Sequence, residues 1–192
     1  REHTETLIHA FITSRLDYFN SLLYGLPYSI LCNNNNSQSL LRKPISQYVF
    51  YNRVLCKLQR IQNACVRLIY HCSRFCHITP FLKELHWLPV RQRINYKILL
   101  LTFKALHHLA PPYLSNLITV TKPGRYDLRS SSDEIKLAYP RIKSKKTLAD
   151  RAFMLAAPTL WNNQPADLRT CPTVELFKSK LKTYLFNIAF TE

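Results

Sequence analysis

Apolar positions recur at helical spacing through most of the chain. In "TETLIHAFITSRLDYFNSLLYGLP", Ile8, Ile12, Phe19, Leu23 and Leu26 fall near one face, and Gly25 with Pro27 ends the pattern. The period then fails. "YSILCNNNNSQSLLRKPISQYVFYNRVLC" holds consecutive asparagines and a Ser/Gln-rich patch, the marks of a loop or poorly ordered insert, with helix resuming near 48–53. "VLCKLQRIQNACVRLIYH" predicts an amphipathic helix with Leu58, Ile61, Cys65 and Leu68 as its buried stripe and Lys57, Arg60 and Arg67 on another side. "HITPFLKELHWL" reads as a short helix with Thr79 as N-cap and Pro80 at the first helical position.

A long helix should follow from about Pro89 to His108, with Ile94, Ile98, Leu101 and Ala105 facing one way. Arg93, Lys97 and Lys104 stand at i, i+4 and i+11, nearly one line at 3.6 residues per turn. "APPYLSNLI" is a proline turn and a short helix. Between 121 and 146 the helical period is lost, and the alternation in "EIKLAYPRIK" suits a short two-stranded β ribbon around 134–146. Helix returns in "LADRAFMLAAPTLWNNQP" and in "VELFKSKLKTYLFNIAF". The latter is capped by Thr173, with Val174, Phe177, Leu181, Tyr184 and Ile188 as its apolar line and Lys178, Lys180 and Lys182 beside it. The expectation is a mainly α protein, an irregular helical bundle. Residues 1–27 give its first helix, 28–55 an insert, and 56–192 the main helical domain including the C-terminal helix.

Composition supports this reading. Only two glycines occur, against about 7% in average usage, which disfavours hairpins and glycine-rich loops. Eleven prolines supply the punctuation, and 47% apolar content is enough for a core. No uninterrupted apolar run is long enough to span a membrane; "INYKILLLTFKALHHLA" is broken by Lys97 and Lys104. The opening residues lack a signal-peptide pattern, and the chain reads as a piece of something longer. Six unevenly spaced cysteines suit reduced thiols inside a cell better than a disulfide framework.

Charge narrows the function classes. Lys and Arg number 27 against 11 Asp and Glu, a net charge of +16. Such an excess repels itself and is usually held for a polyanion, RNA or DNA ahead of an anionic membrane or an acidic protein. Nucleotidyl transfer needs clustered carboxylates for divalent metal. Here the adjacent pair, Asp133 and Glu134, sits in a serine-rich turn, where capping or solvation is the expected role. No catalytic residue and no cofactor is assigned. "HCSRFCH" offers His71, Cys72, Cys76 and His77, but a structural zinc site needs a second ligand pair. That pair would have to come from His107 and His108, so no metal site is expected. Cys65 and Cys171 lack a base nearby in sequence, and Cys65 reads as core filler.

Trp87 and Trp161 each follow a leucine in an apolar segment and read as core. Tyr70, His71 and Phe75, interleaved with Arg67 and Arg74, are better candidates for stacking on bases. The candidate phosphate contacts are Lys57, Arg60, Arg67, Arg74, Arg93, Lys97 and Lys104, together with Arg141, Lys143, Lys145 and Lys146 from a second basic cluster.

Several phrases taken in order, "LIHAFITSRLDYFNSLLYGLP", "LQRIQNACVRLI", "HITPFLKELHWLPVRQRINYKILLLTFKALH", "LAPPYLSNLI", "DRAFMLAAPTLWNNQP" and "FKSKLKTYLF", resemble the C-terminal region of non-LTR (LINE-type) retrotransposon reverse transcriptases. The chicken-repeat and Jockey-like branch is the nearest, and the resemblance spans nearly the whole chain. It implies a region at or beyond the thumb of an RNA-directed DNA polymerase, holding template RNA and target DNA. The catalytic carboxylates would lie in an upstream palm, and the place of action would be intracellular, by resemblance the nucleus. The stretch from Ser29 to Leu55 and the polar "NNQP" depart from the family pattern. Two alternatives stay open: a helical scaffold that packs on the missing polymerase domains, and a decayed retroelement remnant without function.

Overall fold

The computed structural model describes residues 2–18, 24, 45–121, 135–140 and 153–191, with side chains in the helix from Ile45 described from Val54 onward. The fold is mainly helical. Its elements are α1 (Glu2–Ile8), a π turn (His9–Thr13), α2 (Ser14–Tyr18), α3 (Ile45–Tyr70), α4 (Thr79–Glu84), α5 (Val90–Leu106), α6 (Pro112–Ser115), α7 (Phe153–Asn162), α8 (Ala166–Arg169) and α9 (Val174–Phe190). The chain divides into two compact units, Arg1–Ile94 and Asn95–Glu192, the division falling inside α5.

In the first unit, Ile8, Val66, Ile69, Ile78, Leu82, Trp87, Leu88, Val90 and Ile94 are buried. The π turn has a geometric consequence. A regular helix would set Asp17 half a turn away from Ile8; the extra residue takes up about 100° and returns Asp17 toward the buried side. His9, in that turn, meets Trp87 edge-on at 5.1 Å between ring centroids.

The second unit is built on stacked aromatics. Phe103 and Phe177 lie 4.2 Å apart and nearly parallel, Trp161 packs 6.0 Å from Phe177, and all three are essentially fully buried. The Trp161 indole N–H donates to the Ile135 carbonyl at 2.8 Å. The Asn162 amide accepts from the Leu137 N–H and donates to the Leu137 carbonyl, pinning that extended segment. Half of the ribbon expected around 134–146, residues 141–146, lies outside the described residues; the described part, 135–140, holds one antiparallel bridge, from Leu137 to Val120. The segment pairs backward because its partner carbonyl and N–H groups lie in 119–121.

Helix termini follow a simple rule. Prolines precede the starts: Pro89, Pro111 and Pro165 stand immediately before α5, α6 and α8. Thr173 caps α9 as its sequence predicts, its hydroxyl accepting from the Leu176 N–H. Thr79 does not cap α4; it is the first helical residue, Ile78 takes the cap position, and no side chain bonds there. Three C-termini end alike, with histidine in the left-handed region: His71 (φ 50°), His86 (φ 52°) and His108 (φ 56°). In each case the following N–H reaches back five residues: Cys72 to Arg67, Trp87 to Leu82, and Leu109 to Lys104. This is the closure usually given to glycine, here formed by a side chain that tolerates the left-handed region better than most.

Relief of left-handed strain gives a direct test. His108→Gly should raise unfolding stability by about 0.5–1 kcal/mol, while His108→Val should lower it. Urea midpoints read both effects, and a glycine variant less stable than the parent would contradict the assignment.

Candidate nucleic-acid interface

The rotation of α3 about its axis is set by amides. Gln62 is 1% exposed and donates to the Leu88 carbonyl at 2.9 Å. Gln59 donates to Gln62 at 3.0 Å and to Asn63 at 2.9 Å, and its own oxygen accepts from the Val90 N–H at 3.0 Å. Gln59 thereby caps α5 from another helix, supplying an acceptor that Pro89 cannot offer from its side chain. A buried amide needs its hydrogen bonds, so α3 must turn the Gln59–Gln62 side inward.

That orientation corrects the expected stripe. Cys65 is buried, but Ile61 and Leu68 are 44% and 56% exposed, and the buried line runs through Gln62, Cys65, Val66 and Ile69. Opposite it, Lys57, Arg60, Ile61, Ala64 and Leu68 face solvent. Lys57, Arg60 and Arg67 share one flank, as their spacing predicts. Arg67 is half-buried, and its Nε finds no acceptor. Between Asp17 and Glu84 the sequence has no acidic residue at all, so α3 itself supplies no counter-charge to this flank.

Beyond α3, Ser73 to Cys76 form a turn closed by the Cys76 N–H donating to the Ser73 carbonyl at 3.1 Å. Arg74 and Phe75 occupy its two central positions and are exposed, Phe75 to 89%. Tyr70 is drawn away from them; its ring packs on Phe81 at 4.5 Å. The sequence grouped Tyr70, His71 and Phe75 together, and the structure leaves His71 and Phe75 outward while Tyr70 is half-buried.

The expected line on α5 is used differently. Both nitrogens of one edge of the Arg93 guanidinium engage the Asp17 carboxylate: Nε donates to Oδ1 at 2.8 Å and Nη2 donates to Oδ2. Such a fork holds the side chain in place, and only 16% of it is exposed. Lys97 and Lys104 are half-buried. Arg141, Lys143, Lys145 and Lys146 lie outside the described residues. On α9, Lys180 and Lys182 are exposed, whereas Lys178 lies 3.9 Å from Glu175.

Trp87 and Trp161 are core residues, 5% and 0% exposed. Among the described residues, no three His, Cys, Asp or Glu side chains converge in a way that could hold a metal ion. Cys171 is buried, with its thiol donating to the Asp167 carbonyl. Burial pushes the Cys65 thiol above its ordinary value, the reverse of what a nucleophile needs. Among the described residues, no helix is long and apolar enough to cross a membrane. No family model, no curated protein and no solved structure matches the chain.

Two expectations follow. Arg93→Ala and Asp17→Ala should each cost about 1–2 kcal/mol, less than a fully buried pair because Asp17 is partly solvated, and the double variant should cost little more than either. Additive losses in urea unfolding would deny the pairing. In the native protein, iodoacetamide should modify the half-buried Cys72 and Cys76 well before Cys65 and Cys171; peptide mapping over time would show the opposite order if the burial were wrong.

Proposed function

We propose that the chain is a non-catalytic segment from the C-terminal region of a non-LTR retrotransposon reverse transcriptase, and that it holds RNA or DNA by its phosphate backbone. The resemblance of its ordered phrases supplies the family reading. One observation carries the binding role: the exposed, acid-free flank of α3 with Lys57 and Arg60 outward, followed by Arg74 on the turn beyond it. Cations with no acidic neighbour on their own helix are free to displace the ions condensed on a nucleic acid, so the affinity is chiefly electrostatic and weakly sequence-dependent. Arg93 positions α2 against α5 and does not reach the ligand. No polymerase step is assigned to these residues.

The scaffold reading has one observation in its favour. Ile61 and Leu68 lie exposed on the same helix, an apolar line that another protein domain would cover. Fluorescence anisotropy with a short RNA across a salt series separates the two. The parent should bind with a steep log–log slope, and Lys57→Glu/Arg60→Glu should flatten that slope by about 1–2 while weakening binding at low salt. A double variant that binds as the parent does at every salt concentration would leave the scaffold reading in its place.

A further inference from the structure

We infer that Phe75 is a stacking platform for an unpaired base, so that the surface prefers single-stranded to fully paired nucleic acid; this rests on the phosphate-contact reading above. Turn tips are ordinarily polar, because small polar and glycine residues satisfy the bent backbone at no cost in exposed apolar area. Here a phenylalanine stands at the tip with 89% of its surface in water. The turn is not slack. Its ends are tied by the bond from the Cys76 N–H to the Ser73 carbonyl, and the Phe75 N–H approaches the Ser73 hydroxyl at 3.5 Å. On one side the chain enters through the left-handed closure at His71; on the other, the buried Ile78 anchors it. An apolar ring held outward on an ordered turn lacks a face to cover it, and a base offers a flat one of matching size.

The surroundings select the occupant. Arg74 precedes the ring, His71 and His77 are exposed on the same connection, and the Lys57–Arg60–Arg67 flank leads up to it along α3. Lys57 and Tyr70 are thirteen residues apart, about 20 Å of helix, enough to run beside several nucleotides of one strand. Alternating cations and an aromatic surface are what single strands use, phosphates on the charges and a base on the ring. In a continuous duplex every base is already covered by its neighbours, so the ring gains nothing without unstacking a pair.

The test compares a twelve-nucleotide unstructured RNA with a blunt duplex of the same length, by anisotropy at fixed salt, on the parent, Phe75→Ala and Phe75→Tyr. The parent should favour the single strand, and Phe75→Ala should weaken that complex by about tenfold while leaving the duplex affinity and the salt slope unchanged. Phe75→Tyr, which keeps the ring, should restore the preference. A 2-aminopurine placed in the strand should change its fluorescence on binding to the parent and not to Phe75→Ala. Equal single-strand affinity of Phe75→Ala and parent overturns the inference while the phosphate reading stands. Equal loss on both ligands overturns it too, as does a parent that binds neither ligand, which removes the phosphate reading with it. Loss of binding to anionic lipid vesicles alone would assign the ring to a membrane surface and also overturn it.

Discussion

The inward-turned amides of Gln59 and Gln62 determine what α3 shows to solvent. An apolar helix can rotate about its axis at little cost when most of its circumference is hydrophobic, and α3 carries Leu58, Ile61, Cys65, Val66, Leu68 and Ile69 over a wide arc. One buried amide and one half-buried amide remove that freedom. Gln62 must reach the Leu88 carbonyl in the core and Gln59 must cap Val90, and both hydrogen bonds are lost if the helix turns. The same two bonds fix where the "HWLPV" stretch lies against α3 and where α5 starts. Lys57 and Arg60 are exposed as a consequence, together with the less expected Ile61 and Leu68.

Electrostatics compound that arrangement. Asp17 is the last acidic residue before a long acid-free stretch, and the π turn brings it to Arg93, where the fork neutralises an arginine on α5. Among the described residues of the first unit, Lys57 and Arg60 on α3 and Arg74 on the turn that follows it stand exposed, as does Arg15 on α2. One arginine holds the fold and others stay outward, a division that depends on which guanidinium finds a carboxylate and not on how regularly the cations are spaced.

Much of the fold was legible in the sequence. Helical spacing located α5, α7, α9 and the later part of α3, which begins at Ile45 inside the stretch expected to be an insert; prolines marked the starts of α5 and α6, and Thr173 announced its own cap. The core roles of Trp87 and Trp161 followed from their apolar neighbours. Other features were not readable, each for a physical reason. The rotation of α3 was misread because hydrophobic counting puts apolar side chains inward, whereas a polar residue with partners can displace them; "QRIQNA" held the only local hint. The Arg93 pairing joins residues far apart in sequence, and spacing within one helix says nothing of it. The three left-handed histidines could not be inferred, since histidine is only modestly favoured there and the scarcity of glycine points to no particular substitute. Of the candidate site, Lys57, Arg60 and Arg74 stand exposed as their pattern suggested, while Tyr70 turned to Phe81 and Phe75 stayed outside.

The most direct test is lysine acetylation of the folded chain with and without a bound single-stranded RNA, read by mass spectrometry. If the outward flank of α3 holds the ligand, Lys57 should be acetylated in the free protein and protected in the complex, while Lys180 and Lys182 on α9 react alike in both. Protection of Lys180 and Lys182 with Lys57 still fully reactive would contradict the assignment of the binding surface to α3.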